Sequence, residues 1–290
     1  MNRSLFDSLE MRRLLASITL NDGHVKIDGT TGDDEIVIRQ TQDGRISFNL
    51  NDEEKKIGIS NLKSITVESW SGDDSINVHY NLLKKYIDGI SLKRKLSSIP
   101  FSLDTGKGKD SVEIYALKPS KVFLGDGNDL LKSYVASTVH GGSGDDVIEV
   151  IEPVGVYAQY VPPGTERTLR TFNPLVYGND GNDTIRLSTG RAYGGNGNDV
   201  ISGAGTLHGE GGNDQLRLEY GEAFGGDGND TLQTTTDDLF FDGGYRTSQN
   251  ENEVEFEAIS VQGIRASSIP VTPTNWRTQM LDGGGGNDTL

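Results

Sequence analysis

Gly194-Gly195-Asn196-Gly197-Asn198-Asp199 is the stretch that decides this chain, because near-copies of it recur along most of the 290 residues. The clearest are Leu124–Asp129, Gly141–Asp146, Gly178–Asp183, Gly209–Asp214, Gly225–Asp230 and Gly283–Asp288. Two residues beyond each closing aspartate stands an aliphatic side chain: Leu131, Ile148, Ile185, Ile201, Leu216, Leu232 and Leu290. The unit is a nonapeptide of pattern GGxGxDxUx, with U aliphatic, and a repeat of fixed period outranks any local reading of helix or strand. An acidic disordered linker would not keep an aliphatic residue at one offset in every copy.

Several glycines in six residues permit backbone angles barred to other residues and leave no Cβ to hold carbonyl oxygens apart. Such a loop is a cage of oxygen atoms. Calcium takes about six to eight oxygen ligands in a flexible shell, carboxylate and carbonyl alike, whereas magnesium demands tight octahedral geometry. The loops therefore predict calcium as cofactor. The candidate ligands are the sixth-position aspartates Asp129, Asp146, Asp183, Asp199, Asp214, Asp230 and Asp288, with Asp126 beside the first. Loop carbonyls around Gly142, Gly144, Gly181, Gly195, Gly197, Gly212, Gly226 and Gly228 complete the set.

The residues after each loop, as in Asp199-Val200-Ile201-Ser202, read as a short strand with one side chain turned inward. Loops starting at 178, 194, 209 and 225 follow one another at 16, 15 and 16 residues, about one coil of a parallel β-roll, so they should stack in one column. Earlier steps of 19, 17 and 37 residues fit the same ruler, the last as two coils. Each coil would add about 4.8 Å to the solenoid.

These loops resemble the RTX, or haemolysin-type, calcium-binding repeats. That resemblance implies an all-β, right-handed parallel β-roll organised around calcium, usually in a secreted protein. The half-coils Gly203–His208 and Leu218–Phe224 lack the nonapeptide, which predicts calcium along one edge only.

Towards the N-terminus the motif wears down. Gly29–Asp34, Ser69–Asp74 and Thr105–Asp110 keep the last glycine, the aspartate and the inward aliphatic, but Trp70, Lys107 and Lys109 do not suit a cation site, and these loops read as structural. Between them the alternating Gly44–Leu50 and Ile65–Glu68 are strand-like. The expected organisation is a leader-like segment at 1–20, degenerate coils at 21–120 with a basic insertion at 77–100, a calcium-binding roll at 121–243 with a proline-containing insertion at 151–177, and 244–290 as a lip and a final uncapped repeat. Leu9–Ala16 is similar to the Leu-Glu-Pro-Arg-x-Leu-Leu leader of bacterial surface proteins, with Met11 in place of proline. Its longest apolar run, Leu14-Leu15-Ala16, is short of the roughly seven residues of a secretory signal core. No stretch is apolar enough to span a membrane as a helix.

The net charge is −16, from 27 basic and 43 acidic residues, which makes nucleic acid a poor partner. Stacked aspartates repel one another without a counter-ion, so folding should depend on a cation. With no cysteine, disulfides and thiolate metal sites are excluded. His140 and His208 sit where other coils carry Phe123, Tyr177, Tyr193 and Phe224, each after a small or aliphatic residue, which predicts an exterior ladder of rings rather than a catalyst. The clusters Asp237-Asp238 and Glu251–Glu257, near Arg246 and Arg265, show no catalytic spacing. A calcium-stabilised structural or surface module, extracellular or on a bacterial cell surface, is the leading expectation. An adhesion module binding cell-surface glycan or another copy of the chain, and a carbohydrate-active lyase or epimerase, are the alternatives.

Overall fold

The computed structural model describes residues 16–79 except 42 and 44, and then 99–115, 120–134, 137–151, 173–234 and 280–290. The leader-like segment up to 15, residues 80–98, 152–172 and 244–279 of the three insertions, and the acidic clusters beyond 235 lie outside the described residues. Apart from the 3-10 turn Ile59–Asn61, all regular structure among the described residues is β-strand.

The strands form two parallel columns. One runs through His24–Asp28, Ser64–Glu68, Phe101–Asp104, Lys121–Asp126, Thr138–Ser143, Leu175–Asp180 and Arg191–Asn196. It continues through the later halves of Val200–Gly211 and Gln215–Asp227 to Met280–Gly285. The other runs from Glu35–Gln40 through Ser75–His79, Ser111–Tyr115, Leu130–Ser133, Val147–Val150 and Thr184–Leu187. The first halves of the two long strands and Thr231–Thr234 complete it. A nonapeptide loop joins the two columns in every coil. Each strand thus pairs with the strand one coil away, as the 15- to 19-residue steps imply; the 37-residue step, expected to be two coils, is a single one, because Thr138–Ser143 pairs directly with Leu175–Asp180.

Alternation sets the core. Ile148, Ile185, Ile201, Leu216 and Leu232 are all buried in one column, while Val139, Val176, Ala192, Leu207 and Ala223 are buried in the other. Leu290, at the same offset in the last loop, is 45% exposed. Just outside the second set, Phe123, His140, Tyr177, Tyr193, His208 and Phe224 stack face to face with centroids 4.7–5.1 Å apart. That spacing equals the roughly 4.8 Å between strands, so the ladder costs the sheet no distortion. His79, which has no evident acid–base partner in the sequence, stacks on Tyr115 and lies 3.5 Å from Glu113.

The first coil differs from the expectation of uninterrupted solenoid. Arg45–Leu50 is a strand, but it pairs antiparallel with Glu35–Gln40 and then with Glu53–Gly58. Ser17–Asn21 likewise pairs antiparallel with His24–Asp28, so residues 17–20, expected to close the leader-like segment, belong to the fold. Ile18, Ile46, Phe48, Leu50 and Ile57 are buried together with the first coil's Val25 and Ile36. These hairpins cover an edge that would otherwise expose unpaired strands and apolar side chains.

Candidate metal centre

From Ser69–Asp74 onward each loop is built by two left-handed residues, at its second and fourth positions. The fourth is glycine in every coil, and for good reason: a Cβ on Gly197 (φ 133°) would stand 1.9 Å from the Gly181 carbonyl oxygen of the preceding coil. The second position is looser. Asn179 and Glu210 occupy it at φ 78° and 79°. Tight stacking at these points brings one loop's backbone directly onto the next.

The sixth-position aspartates then form an unbroken ladder. The backbone N–H of each of Asp34, Asp74, Asp110, Asp129, Asp146, Asp183, Asp199, Asp214 and Asp230 donates to Oδ1 of the next, ending on Asp288, at 2.8–3.0 Å. The fifth position carries a second ladder of opposite direction, in which Asn198, Asn213 and Asn229 each donate an N–H to the side-chain oxygen of the preceding coil. Between them the two ladders lock the loops in register.

The ladder uses only one carboxylate oxygen. Oδ2 of Asp146, Asp183, Asp199, Asp214 and Asp230 is buried without a hydrogen-bond partner. In a protein interior such an atom calls for an explanation. Each points at the first glycine of its own loop. A Cβ on Gly178 would lie 2.2 Å from Asp183 Oδ2 and 2.4 Å from the Gly194 carbonyl oxygen of the next coil. Gly141, Gly194, Gly209 and Gly225 repeat the arrangement with Asp146, Asp199, Asp214 and Asp230. Five cradles result, each facing a spare carboxylate oxygen and a carbonyl oxygen from the following coil.

Burial makes these carboxylates hard to ionise. It pushes Asp146 and Asp199 up to about 7, with the neighbouring aspartates adding to the effect, and Asp183 and Asp214 up to about 6. Asp230 is raised in the same way. Hydrogen bonds from the ladder N–H groups oppose the shift without cancelling it. A cation in the cradle would reverse this balance by favouring the charged form.

The family described as RTX calcium-binding nonapeptide repeat (4 copies) matches this sequence over residues 136–149, 175–206, 190–216, 224–244 and 280–290. The chain carries RTX calcium-binding repeats. No curated protein and no solved structure matches it. Calcium is the cation that these repeats indicate, and the residues present fit it. Among the described residues no three acidic or histidine side chains converge on one point. The donors that the loops offer are one spare carboxylate oxygen per coil and the backbone carbonyls beside it, a donor set that suits calcium.

The structure does not treat all the sequence candidates alike. Asp146, Asp183, Asp199, Asp214 and Asp230 share one environment. Asp129 lies in the same ladder, but its loop begins with the buried Leu124 in place of glycine. Asp126 points to the outer surface, where Lys107 pairs with Oδ2 and Ser143 donates to Oδ1. Asp288 ends the ladder half-buried, without a further coil beside it among the described residues. Gly142, Gly144, Gly181, Gly195, Gly197, Gly212, Gly226 and Gly228 all have the positive φ that turns the loops. Asp34, Asp74 and Asp110, set aside as parts of worn loops, prove to be full members of the ladder. Their constant spacing before an inward aliphatic was the available signal.

Proposed function

We propose that this chain is a calcium-stabilised structural module, a right-handed parallel β-roll with calcium along one edge, acting outside the cell or at a bacterial cell surface. One observation carries the reading: a column of buried aspartates, each with a spare oxygen facing a glycine-lined cradle. Asp146, Asp183, Asp199, Asp214 and Asp230 would hold the ions together with loop carbonyls. Bound calcium supplies the positive charge that lets these carboxylates ionise in place. The chain's own residues do the rest: glycines bring the loops into contact, the two ladders fix their register, and the aliphatic columns supply a thin core. Folding of these coils is thus linked to the ion. An affinity on the order of 10⁻⁴ to 10⁻³ M, as in extracellular calcium modules, is the match for that role. No helix among the described residues is long and apolar enough to cross a membrane.

Hydrogen exchange on the full chain, with calcium and with a chelator, tests this. Residues 137–151 and 173–234 should lose more of their protection in the chelator than 17–79. Absence of binding at millimolar calcium, or unchanged binding after Asp→Ala at 183, 199, 214 and 230 together, would refute it.

A further inference from the structure

We infer that, in the coils from Ser69 onward, the first residue of the loop decides whether the coil takes an ion, and that Ser69, Thr105 and Leu124 close their coils to calcium. This rests on the calcium reading above and adds to it a boundary within the column.

The comparison is between coils of one geometry. Where the first residue is glycine, the cradle between Oδ2 and the next coil's first carbonyl is empty of protein atoms, as at Gly178 between Asp183 and Gly194. In the coil starting at Ser69 the same space holds a side chain. Ser69 is fully buried, and its hydroxyl donates to the Thr105 carbonyl at 3.1 Å, the same first-position carbonyl of the following coil. Thr105, equally buried, repeats the contact one coil later by donating to the Leu124 carbonyl. Leu124 itself lies opposite Gly141, between the paired Phe123–His140 and Gly125–Gly142, and puts a buried alkyl group where the glycine leaves room.

Asp74, Asp110 and Asp129 keep a buried Oδ2 outside the ladder, like their counterparts further on, and the Ser69 and Thr105 hydroxyls sit against the Asp74 and Asp110 carboxylates. In these three coils the carboxylate is in place and only the space is missing. The first coil is closed differently: Gly29 leaves room, but Asp34 Oδ2 accepts the Thr30 N–H at 2.6 Å and Oδ1 accepts Asn51 Nδ2 at 2.7 Å. Protein donors there satisfy both oxygens. The column is therefore divided, with five open cradles from Gly141 onward and four closed coils before it.

The test counts ions per chain by native mass spectrometry of the full chain in calcium. Leu124→Gly, which restores a complete glycine pair ahead of Asp129, and Ser69→Gly should each bind one ion more than the unsubstituted protein. Ser69→Ala, which removes the hydroxyl but keeps a Cβ in the cradle, should add none. Gly194→Ser should bind one fewer. Leu124→Gly also removes a core side chain, so Ser69→Gly decides the matter if that variant does not fold. If the unsubstituted protein binds calcium and neither glycine variant adds an ion, or if Ser69→Ala gains as much as Ser69→Gly, the gating argument fails while the calcium reading stands. If the unsubstituted protein binds none, both fall.

Discussion

Asp199→Asn changes the ladder least and its charge most, and its effect should reverse sign with calcium. The asparagine Oδ1 can still accept the Asp183 N–H, and Nδ2 takes the place of the orphaned Oδ2, facing the Gly209 carbonyl that borders the same cradle. In the metal-free protein Asp199 titrates at about 7 rather than 3.8. Because the folded-state value is raised, the protonated acid contributes stability below about pH 4, and that contribution is lost as pH rises through about 7. One pKa unit is about 1.4 kcal/mol, so ionisation costs the folded state about 4 kcal/mol by pH 8. This is an upper figure, since water reaches the outer edge of the loop. Asparagine does not titrate. Its advantage over aspartate in a chelator should be close to zero below pH 4, grow between about 4 and 7, and level off above. At about 2–4 °C per kcal/mol for a domain of this size, thermal melts monitored by circular dichroism resolve it readily. In millimolar calcium the order should invert, because the variant lacks a ligand oxygen. A variant that is less stable than aspartate in the chelator at pH 8, or whose advantage does not vary with pH, would refute the burial argument.

The two left-handed loop positions should respond in opposite ways. Gly197→Ala forces a side chain into a glycine-only conformation, at a cost on the order of 1–3 kcal/mol, and drives its Cβ into the Gly181 carbonyl, so the melting temperature in calcium should fall sharply. Glu210→Gly relieves a strained left-handed residue at φ 79° and should be neutral or stabilising by up to about 1 kcal/mol in the same melt. Tyr193→Ala breaks stacking on Tyr177 and His208 at about 0.5–1.5 kcal/mol each, so it should lower stability by about 1–3 kcal/mol while leaving the calcium count unchanged.

How far this architecture can be read in the sequence follows from where each constraint acts. The fourth-position glycine and the sixth-position aspartate are dictated by contacts repeated identically in every coil, so they leave a periodic trace, and the two strand columns and the ring ladder follow from it. The hairpins at Ser17–Asp28 and Arg45–Gly58 do not show in this way, because period-two alternation looks the same whether a strand's partner is parallel or antiparallel. Asp126 looks like a ligand within its own loop, and only the position of Lys107, in the preceding coil, shows that its carboxylate is already engaged. The first loop position is the most instructive case. Read along the chain, Gly, Ser, Thr and Leu there look like gradual decay of a motif. Stacked coil on coil, they face the same spare oxygen and the same carbonyl, across sequence gaps of 36 residues at Ser69 and 19 at Thr105. What varies is whether a side chain stands in the space between, and that property belongs to pairs of coils rather than to any single repeat. The motif thins towards the N-terminus at its first position, while the ladder that joins Asp34 to Asp288 continues through it without a break.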